Sequence, residues 1–412
     1  MSLRLAEVVA LLDGWYDPAW AEDWDAVGLV CVDPGQPVER VLFAVDPAPV
    51  VVDEAVDWGA DLLVCHHPLL LRPVQGVAAT TPKGRAVHRL VKAGTALLTA
   101  HTNADVPPGG VNESLARAVG VRDPRVIVET ALEQLDKLVT FVPHQHEDAV
   151  RDAIVAAGAG AIGDYDSCTF TATGEGRFRP LAGADPAVGE VGRLEVVAES
   201  RVEAVLPRRL RRRVVEAMKA AHPYEEVAYD VVELAPVPGQ STGARGHGRI
   251  GTLEQPMPLR DFADRVAESL PTTAHGVRVA GDPDRPVEVV AVASGSGDFL
   301  LGTVLGSGAD VYLTSDLRHH PAAEFLEQAA LVDPSTDSGR GGPALVDVAH
   351  WAAEWTWLPV AAEKLRDGVN DRGDTVETRV SVAVTDPWTF RAEPRPPQEQ
   401  PQEQQREARS AP

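Results

Sequence analysis

The sequence has a deficit of positive charge, and this limits its partners. It contains 38 Lys and Arg against 61 Asp and Glu, which gives a formal net charge of −23. Binding to a phosphate backbone depends mainly on Lys and Arg, which release counterions. The composition therefore argues against nucleic acid as a main partner.

Cysteine is also scarce. The three cysteines, Cys31, Cys65 and Cys168, are widely spaced and form no C-x-x-C motif. Neither a disulfide framework nor a zinc knuckle is indicated. Each cysteine is expected to be a small buried apolar residue.

Long apolar runs are missing as well. No stretch approaches the ~18–20 residues of a membrane-spanning helix. Arg4, Glu7 and Asp13 interrupt the apolar residues of Met1–Trp15, so this segment is expected to be an amphipathic helix rather than a signal peptide. We expect a soluble, cytoplasmic protein with no membrane partner.

Short runs rich in Val and Leu alternate with helix-length segments. This rhythm is typical of βαβ units with parallel sheets, and it occurs in the first part and again in the last third of the chain. Strands are predicted at Val41–Val45, Asp61–Cys65, Thr95–Ala100, Val287–Val292, Asp310–Leu313 and Ala344–Val348. The predicted fold class is therefore α/β, with two similar α/β lobes.

The middle of the chain has a different pattern. Alternating strand-like segments and a basic helix, expected at Leu206–Ala221, indicate an inserted α+β domain. The predicted domains are a first lobe at 1–131, the insert at 132–239, a second lobe at 240–390 and a tail at 391–412. The tail lacks large apolar residues and is expected to be disordered.

Three polar clusters follow predicted strands directly. They are His66-His67-Pro68, the segment from His101 to Asp105, and the segment from His350 to Glu354. Ligands of open α/β sheets bind at the carboxyl ends of strands. Each cluster alone also has an ordinary reading: loop histidines, an Asx turn before a helix, and a chance pair on a helix surface.

Together the clusters offer mixed imidazole and carboxylate ligands, namely His66, His67, Asp105, His350 and Glu354. Such ligands suit Zn²⁺, Mn²⁺, Fe²⁺ or Co²⁺. Five ligands are too many for one catalytic ion with an open position. They are about right for two ions that share a bridging carboxylate and activate a water molecule.

Two further strand ends carry polar or flexible groups. Asp316 and His320, after the predicted strand at 310–313, are candidate catalytic residues that would act as general acid or base. Ser294-Gly295-Ser296-Gly297 would allow close approach of the backbone to an anion, or is simply a tight turn between strand and helix.

These motifs occur in an order that resembles the Nif-three-like family, whose members are commonly named GTP cyclohydrolase 1 type 2 homologues. The resemblance rests on Trp24-Asp25-Ala26-Val27-Gly28-Leu29, His66-His67-Pro68, His101-Thr102-Asn103-Ala104-Asp105, Gly295-Ser296-Gly297, Thr314-Ser315-Asp316 with His320, and His350-Trp351-Ala352-Ala353-Glu354. Two departures are Ala26, where Asn is usual, and Ser315, where Gly is usual.

The resemblance implies two related α/β lobes that face each other across a cleft with a dinuclear metal centre. The five side chains match the family's ligands by position, and Asp105 and Glu354 are the expected bridges. Members are typically ring-shaped homohexamers. The insert resembles PII and CutA proteins through Gly158–Cys168 and His222–Asp230, where His222 and Glu225 are expected to be structural or to contact a neighbouring subunit rather than bind metal.

Two functions remain open at this point. The first is a metal-dependent hydrolase that acts on a small nucleotide-like substrate, although no guanine-reading motif is evident. The second is a non-catalytic metal-binding or regulatory protein whose insert senses a ligand or mediates assembly.

Overall fold

A computed structural model describes residues 3–130, 134–162, 165–235, 245–332 and 342–392. The helices are α1 Leu5–Trp15, α2 Pro49–Trp58, α3 Pro82–Ala93, α4 Thr102–Asp105, α5 Val111–Ala118, α6 Glu147–Ala156, α7 Arg211–Ala221, α8 Leu259–Ser269, α9 Leu301–Leu305, α10 His319–Ala329, α11 His350–Trp355 and α12 Trp357–Asn370. Short 3-10 helices lie at Pro18–Trp20, His144–His146, Arg208–Leu210 and Asp298–Leu300.

The strands are β1 Gly28–Cys31, β2 Arg40–Ala44, β3 Leu62–Cys65, β4 Ala96–Thr99, β5 Arg122–Glu129, β6 Leu135–Pro143, β7 Thr169–Phe178, β8 Glu195–Pro207, β9 Tyr229–Glu233, β10 Gly246–Pro258, β11 Val277–Ala280, β12 Pro286–Ser296, β13 Val311–Ser315, β14 Ala344–Val348 and β15 Glu377–Val380. These elements form two compact units. Unit 1 comprises Met1–Thr130 with Gly243–Pro412, and unit 2 comprises Ala131–Thr242.

The first sheet of unit 1 has the strand order β1-β4-β3-β2-β15. Its central strands β2, β3 and β4 are parallel neighbours. Strands β3 and β4 are buried at every residue, as expected of parallel strands covered on both faces. Their carboxyl ends therefore lie side by side at one edge of the sheet.

The second sheet of unit 1 has the order β11-β14-β13-β12-β10-β5. Strands β12, β13 and β14 are parallel, and antiparallel strands flank them on both sides. The fold class is confirmed: unit 1 contains two related α/β sheets, one with four adjacent parallel strands and one with three.

Two strands pair in the sheet whose other strands come from the opposite half of the sequence. Strand β5 precedes the insert but pairs with β10 in the second sheet. Strand β15 lies near the end of the chain but pairs with β2 in the first sheet. The two lobes are therefore not contiguous in sequence, which the division at 131 and 240 does not anticipate.

Helices near the end of unit 1 also pack against the first sheet. Trp357 at the start of α12 is fully buried in the same core cluster as Phe43 of β2. Its indole Nε1 donates a 3.1 Å hydrogen bond to the hydroxyl of Tyr16. Complete burial of a large aromatic side chain contributes about 1.5–3 kcal/mol, so this contact ties the two ends of unit 1 together.

Unit 2 is an α+β fold with a four-stranded antiparallel sheet in the order β7-β8-β6-β9. Leu138 and Val142 of β6 share a core with Ile154 of α6 and Met218 of α7. Both helices therefore cover the same face of the sheet. Its likeness to PII and CutA proteins remains a prediction.

Some predictions differ from the structure in detail. The basic helix begins at Arg211 rather than Leu206, because β8 continues to Pro207. Only Cys65 is fully buried, whereas Cys31 and Cys168 are partly exposed, so the expectation for those two was wrong. In the described part of the chain, every helix is too short or too polar to cross a bilayer. Most of the predicted tail, from residue 393 onward, lies outside the described residues.

Candidate metal centre

Strands β3 and β4 place three histidines at one sheet edge. His66 and His67 follow the last residue of β3, and His101 follows β4 after one residue. The last residues of these parallel strands, Cys65 and Thr99, are register partners. The three imidazoles therefore lie close together, with ring centroids 5.1–5.5 Å apart between each of the first two and His101.

The second sheet delivers His350 and Glu354 to the same place. Both residues lie on α11, which begins two residues after β14 ends. Glu354 Oε1 lies 2.8 Å from His350 Nε2 and 3.3 Å from His66 Nε2. Glu354 Oε2 lies 2.9 Å from His67 Nε2. A single carboxylate thus contacts imidazoles from both sheets.

Asp105, at the end of α4, approaches the cluster from a third direction. Its Oδ1 lies 3.8 Å from His66 Nε2. All five side chains proposed as ligands from the sequence are therefore close to one another.

The structure adds His101, which the sequence-based ligand set omits. Two groups have potential ligand atoms that all lie within 4.8 Å of one another: His66 with His67 and His101, and His67 with His350 and Glu354. The signal for His101 is present in the sequence, because it follows a buried strand just as His66 does. His67 belongs to both groups and so lies between them.

Each histidine of the cluster uses its Nδ1 atom in a hydrogen bond outside the cluster. The acceptors of His66, His67, His101 and His350 are respectively the Ala100 carbonyl at 2.9 Å, Asp46 at 2.7 Å, Asp25 at 2.8 Å and Asp316 at 2.7 Å. Carbonyl and carboxylate oxygens accept, so each Nδ1 carries the proton. Each Nε2 atom then faces the shared centre, as in histidines that ligate metals.

Asp25 shows how firmly these rings are held. Its side chain is fully buried, and its second oxygen accepts hydrogen bonds from Thr102 N and Oγ1. Burial acts to raise the pKa of Asp25, but hydrogen bonds from His101 and Thr102 outweigh it and lower the pKa to about 2. Asp25 is therefore ionised and fixes the ring of His101.

The two carboxylates of the cluster have opposite pKa shifts. Burial raises the pKa of Asp105 to about 7, and the neighbouring charge of Glu354 adds to this effect. Burial also acts to raise the pKa of Glu354, but the imidazoles of His350, His67 and His66 lower it well below its ordinary value. Glu354 therefore carries the central negative charge.

The residues present fit divalent cations. His66 Nε2 and Asp105 Oδ1 are buried atoms without a hydrogen-bond partner. A buried polar atom left unpaired costs about 1–3 kcal/mol, and a cation among these atoms would remove that cost. Imidazole and carboxylate together are the ligand set of Zn²⁺ and similar transition metals.

One side of the cluster is accessible. The side chains of His66 and Glu354 are 0% and 4% exposed, whereas those of His67 and His350 are 23% and 31% exposed. Solvent or a small molecule can therefore reach the centre from the side of His67 and His350.

The glycine-serine segment passes directly beside the cluster. Gly295 has a φ of 66°, and a Cβ atom there would lie 2.9 Å from Glu354 Oε1. The close backbone approach inferred from the sequence is therefore toward a ligand candidate, and only glycine fits both the conformation and the space.

The two predicted catalytic residues lie in different surroundings. Asp316 accepts a hydrogen bond from His350 Nδ1, and this bond lowers its pKa. His320 is exposed in the first turn of α10, with its ring 5.2 Å from that of His319. In unit 2, His222 uses both ring nitrogens, donating from Nε2 to the Phe141 carbonyl and accepting at Nδ1 from Tyr224 N.

Comparisons with known proteins agree with these motifs. The model of the Duf34/NIF3 (NGG1p interacting factor 3) family matches residues 3–387. A Mycobacterium tuberculosis protein named GTP cyclohydrolase 1 type 2 homolog is 49% identical over 391 residues, covering 95% of this chain and 98% of its own. A Bacillus subtilis protein of the same name is 37% identical over 389 residues, covering 94% and 99%.

Solved structures show the same similarity. The crystal structure of a Bacillus cereus protein related to NIF3 is 36% identical, with a TM-score of 0.64, and the match covers 95% of this chain and all of that one. A Staphylococcus aureus protein is 26% identical, with a TM-score of 0.67 and coverage of 94% and 99%.

Proposed function

This chain belongs to the Duf34/NIF3 family, and we propose that its histidine and carboxylate cluster holds two divalent metal ions and hydrolyses a small nucleotide-like substrate. The observation that carries the proposal is the orientation of the four imidazoles. Each is fixed through Nδ1 by an oxygen acceptor, so each directs Nε2 toward one centre. Such outer hydrogen bonds orient metal ligands.

The two groups of ligand atoms support two neighbouring metal positions. His66, His67 and His101 would contribute to one, and His67, His350 and Glu354 to the region beside it. The family resemblance implies that Asp105 and Glu354 would be the bridging carboxylates, and both lie near His66 Nε2. Bound divalent cations would lower the pKa of a water molecule and polarise a substrate oxygen.

The residues of this chain have separate roles in that proposal. Asp25, Asp46 and Asp316 hold the rings of His101, His67 and His350. The partly exposed edge formed by His67 and His350 admits the substrate. Asp316 would serve as general acid or base only if it released His350 during the reaction, and His320 would act from the exposed start of α10.

The substrate class follows from the names of relatives. Proteins up to 49% identical are named GTP cyclohydrolase 1 type 2 homolog, which favours a nucleotide or a related heterocycle. We propose a cytoplasmic location. We also propose that the chain assembles into a homo-oligomer, and the family's usual form is a hexamer.

Metal analysis and a turnover assay test this function together. Purified protein is expected to contain two divalent ions per chain and to hydrolyse at least one member of a nucleotide panel. Turnover should be lost in His67→Ala and after chelation, and kept in the exposed control His88→Ala. Bound metal without turnover on any nucleotide would contradict the hydrolase and favour a non-catalytic metal-binding protein. Absence of metal in freshly purified protein, and failure to load it, would contradict the metal centre itself.

A further inference from the structure

Unit 2 contains a cavity of about 700 Å³ that the proposed metal centre does not involve. It lies on the face of the sheet opposite α6 and α7. Val142 points into the core that both helices cover, and successive residues of a strand point to opposite faces. Phe141, one residue earlier, therefore points away from the helices, and it lines the cavity.

The cavity has mainly apolar and aromatic walls. Phe141, Phe178 and Tyr224 line it, and the segment from Pro180 to Val188 contributes Leu181 and other apolar side chains. The rings of Phe178 and Tyr224 meet edge to face, with centroids 5.6 Å apart. Seven charged residues line the cavity as well, and Glu175, Glu225 and Glu226 are among them. A concave site that combines apolar walls with polar groups is typical of small-molecule binding.

A buried carboxylate lies in the same cavity. Glu199 is only 8% exposed and lines the cavity. Its Oε1 accepts a 2.8 Å hydrogen bond from the hydroxyl of Tyr224. The side chain of Glu199 lies against Gly176, where a Cβ atom would come within 2.1 Å of Oε2. Glycine at this position thus leaves room for the carboxylate to face the cavity.

The cations that line the cavity are mostly neutralised elsewhere. Arg177 pairs with Glu175 at 2.6 Å, and Arg201 pairs with Glu203 at 2.8 Å. Arg179 is exposed to solvent, where its charge is screened. In the described part of unit 2, no Lys or Arg forms an ion pair with Glu199. The part of the cavity beside Glu199 is therefore negative.

We propose that this cavity binds a small organic cation, an ammonium group attached to an aromatic or apolar body. A carboxylate removed from water is stabilised by an opposite charge with which it can form hydrogen bonds. The faces of aromatic rings attract ammonium groups as well. The ammonium would contact Glu199, and the body would lie between Phe178, Tyr224 and Leu181.

This inference does not depend on the metal centre, because every lining residue belongs to unit 2. The two proposals can therefore fail separately. An amine that bound at the metal centre would lose affinity in His67→Ala or after chelation. An amine that binds in the cavity keeps its affinity in both conditions.

Titration calorimetry on the full-length chain tests the proposal with three probes of similar shape. They are 2-phenylethylammonium, the neutral 2-phenylethanol and the anionic phenylacetate. A charge-assisted hydrogen bond is worth about 1.5–3 kcal/mol, so the cation is expected to bind about tenfold or more tightly than the alcohol, and phenylacetate should bind most weakly. Equal affinities for the three probes, or no binding of the cation, would overturn the proposal.

Substitutions locate the site. Glu199→Gln is expected to weaken binding of the cation about tenfold and to leave binding of the alcohol unchanged. Tyr224→Phe removes only the hydroxyl that holds Glu199 and should weaken binding of the cation less than Glu199→Gln does. This variant provides a second measurement if Glu199→Gln does not fold. The matched control is Glu195→Gln, because Glu195 is on the same strand and neither it nor its ion-pair partner Arg193 lines the cavity. Loss of binding in the control equal to that in Glu199→Gln would contradict the assigned site.

Discussion

The side-chain amide of Asn112 donates a 3.0 Å hydrogen bond to the backbone carbonyl of Asp105. The other end of the same amide accepts a 2.9 Å bond from Ser294 N, at the start of the segment that passes Glu354. Asn112 is only 4% exposed. One buried side chain therefore connects the ligand candidate from the first half of the chain with the backbone beside the ligand candidates from the second half.

Replacing Asn112 should loosen the centre without removing a proposed ligand. Asn112→Ala is expected to reduce the affinity for Zn²⁺ about tenfold, as with other outer contacts of metal sites. It should also lower the free energy of unfolding by about 1–3 kcal/mol, because buried backbone groups lose their partner. Competition with a chromophoric chelator and urea unfolding measure the two effects. The exposed Asn370→Ala is the control, and equal Zn²⁺ affinity in the two variants would contradict this role.

Substitution of His101 tests whether the ligand set is larger than the five residues proposed from the sequence. His101→Ala removes one Nε2 and should lower metal content or affinity by about tenfold to a hundredfold, as measured by mass spectrometry of metals and by competition. His88, exposed on α3, supplies the control His88→Ala, which should retain full metal content. Normal metal binding in His101→Ala would exclude His101 from the ligand set.

Substitution of Gly295 tests the close approach of its backbone to the carboxylate of Glu354. In Gly295→Ala, the added methyl group would meet Glu354 Oε1 at 2.9 Å in a left-handed conformation. We expect loss of most bound metal and a decrease in the free energy of unfolding of about 1–3 kcal/mol. Metal analysis and thermal unfolding measure the two effects. Gly302 has open space around its Cα, so Gly302→Ala should change neither property for the worse. Unaltered metal binding in Gly295→Ala would show that Glu354 does not need this geometry.

The lowered pKa of Asp136 leads to a prediction of how the stability of unit 2 depends on pH. Its fully buried carboxylate accepts hydrogen bonds from Arg208 Nε at 3.1 Å and Arg211 Nε at 2.7 Å. The hydrogen bond from Arg211 is the largest cause of its lowered pKa. Because the folded pKa lies below the unfolded one, the stabilisation is complete above the unfolded pKa of about 3.9 and is lost as the pH falls through the folded pKa.

Asp136→Asn should therefore reduce the free energy of unfolding at pH 7 by about 1–3 kcal/mol, and the difference from wild type should shrink in acid. Urea unfolding followed by a probe in unit 2 measures this at several pH values. Asp148, whose side chain is 87% exposed, provides the control Asp148→Asn, which should have little effect at any pH. A difference that stayed constant down to pH 2 would show that the charge of Asp136 is not the cause.

Sequence periodicity predicted the parallel strands of unit 1 well. Ala344–Val348 was predicted with the observed bounds, because a short apolar run between turn residues is a strong local signal. The same reasoning could not predict that β5 and β15 join the opposite sheets. Pairing between distant strands depends on which edges are free after the other strands have assembled, and no local pattern encodes that.

The histidines and carboxylates at strand ends are determined by the sequence itself, because a strand that ends before a polar residue places that residue at the edge of the sheet. The sequence alone also determined the acidic balance and the likeness to a family. Only the tertiary structure decided that His101 joins His66 and that Asp25 and Asp46 hold the rings. Only the fold, likewise, shows that Glu354 contacts imidazoles from both sheets. Those relationships depend on distances of a few ångströms between segments up to 288 residues apart, and such distances are set by packing rather than by local residue preference.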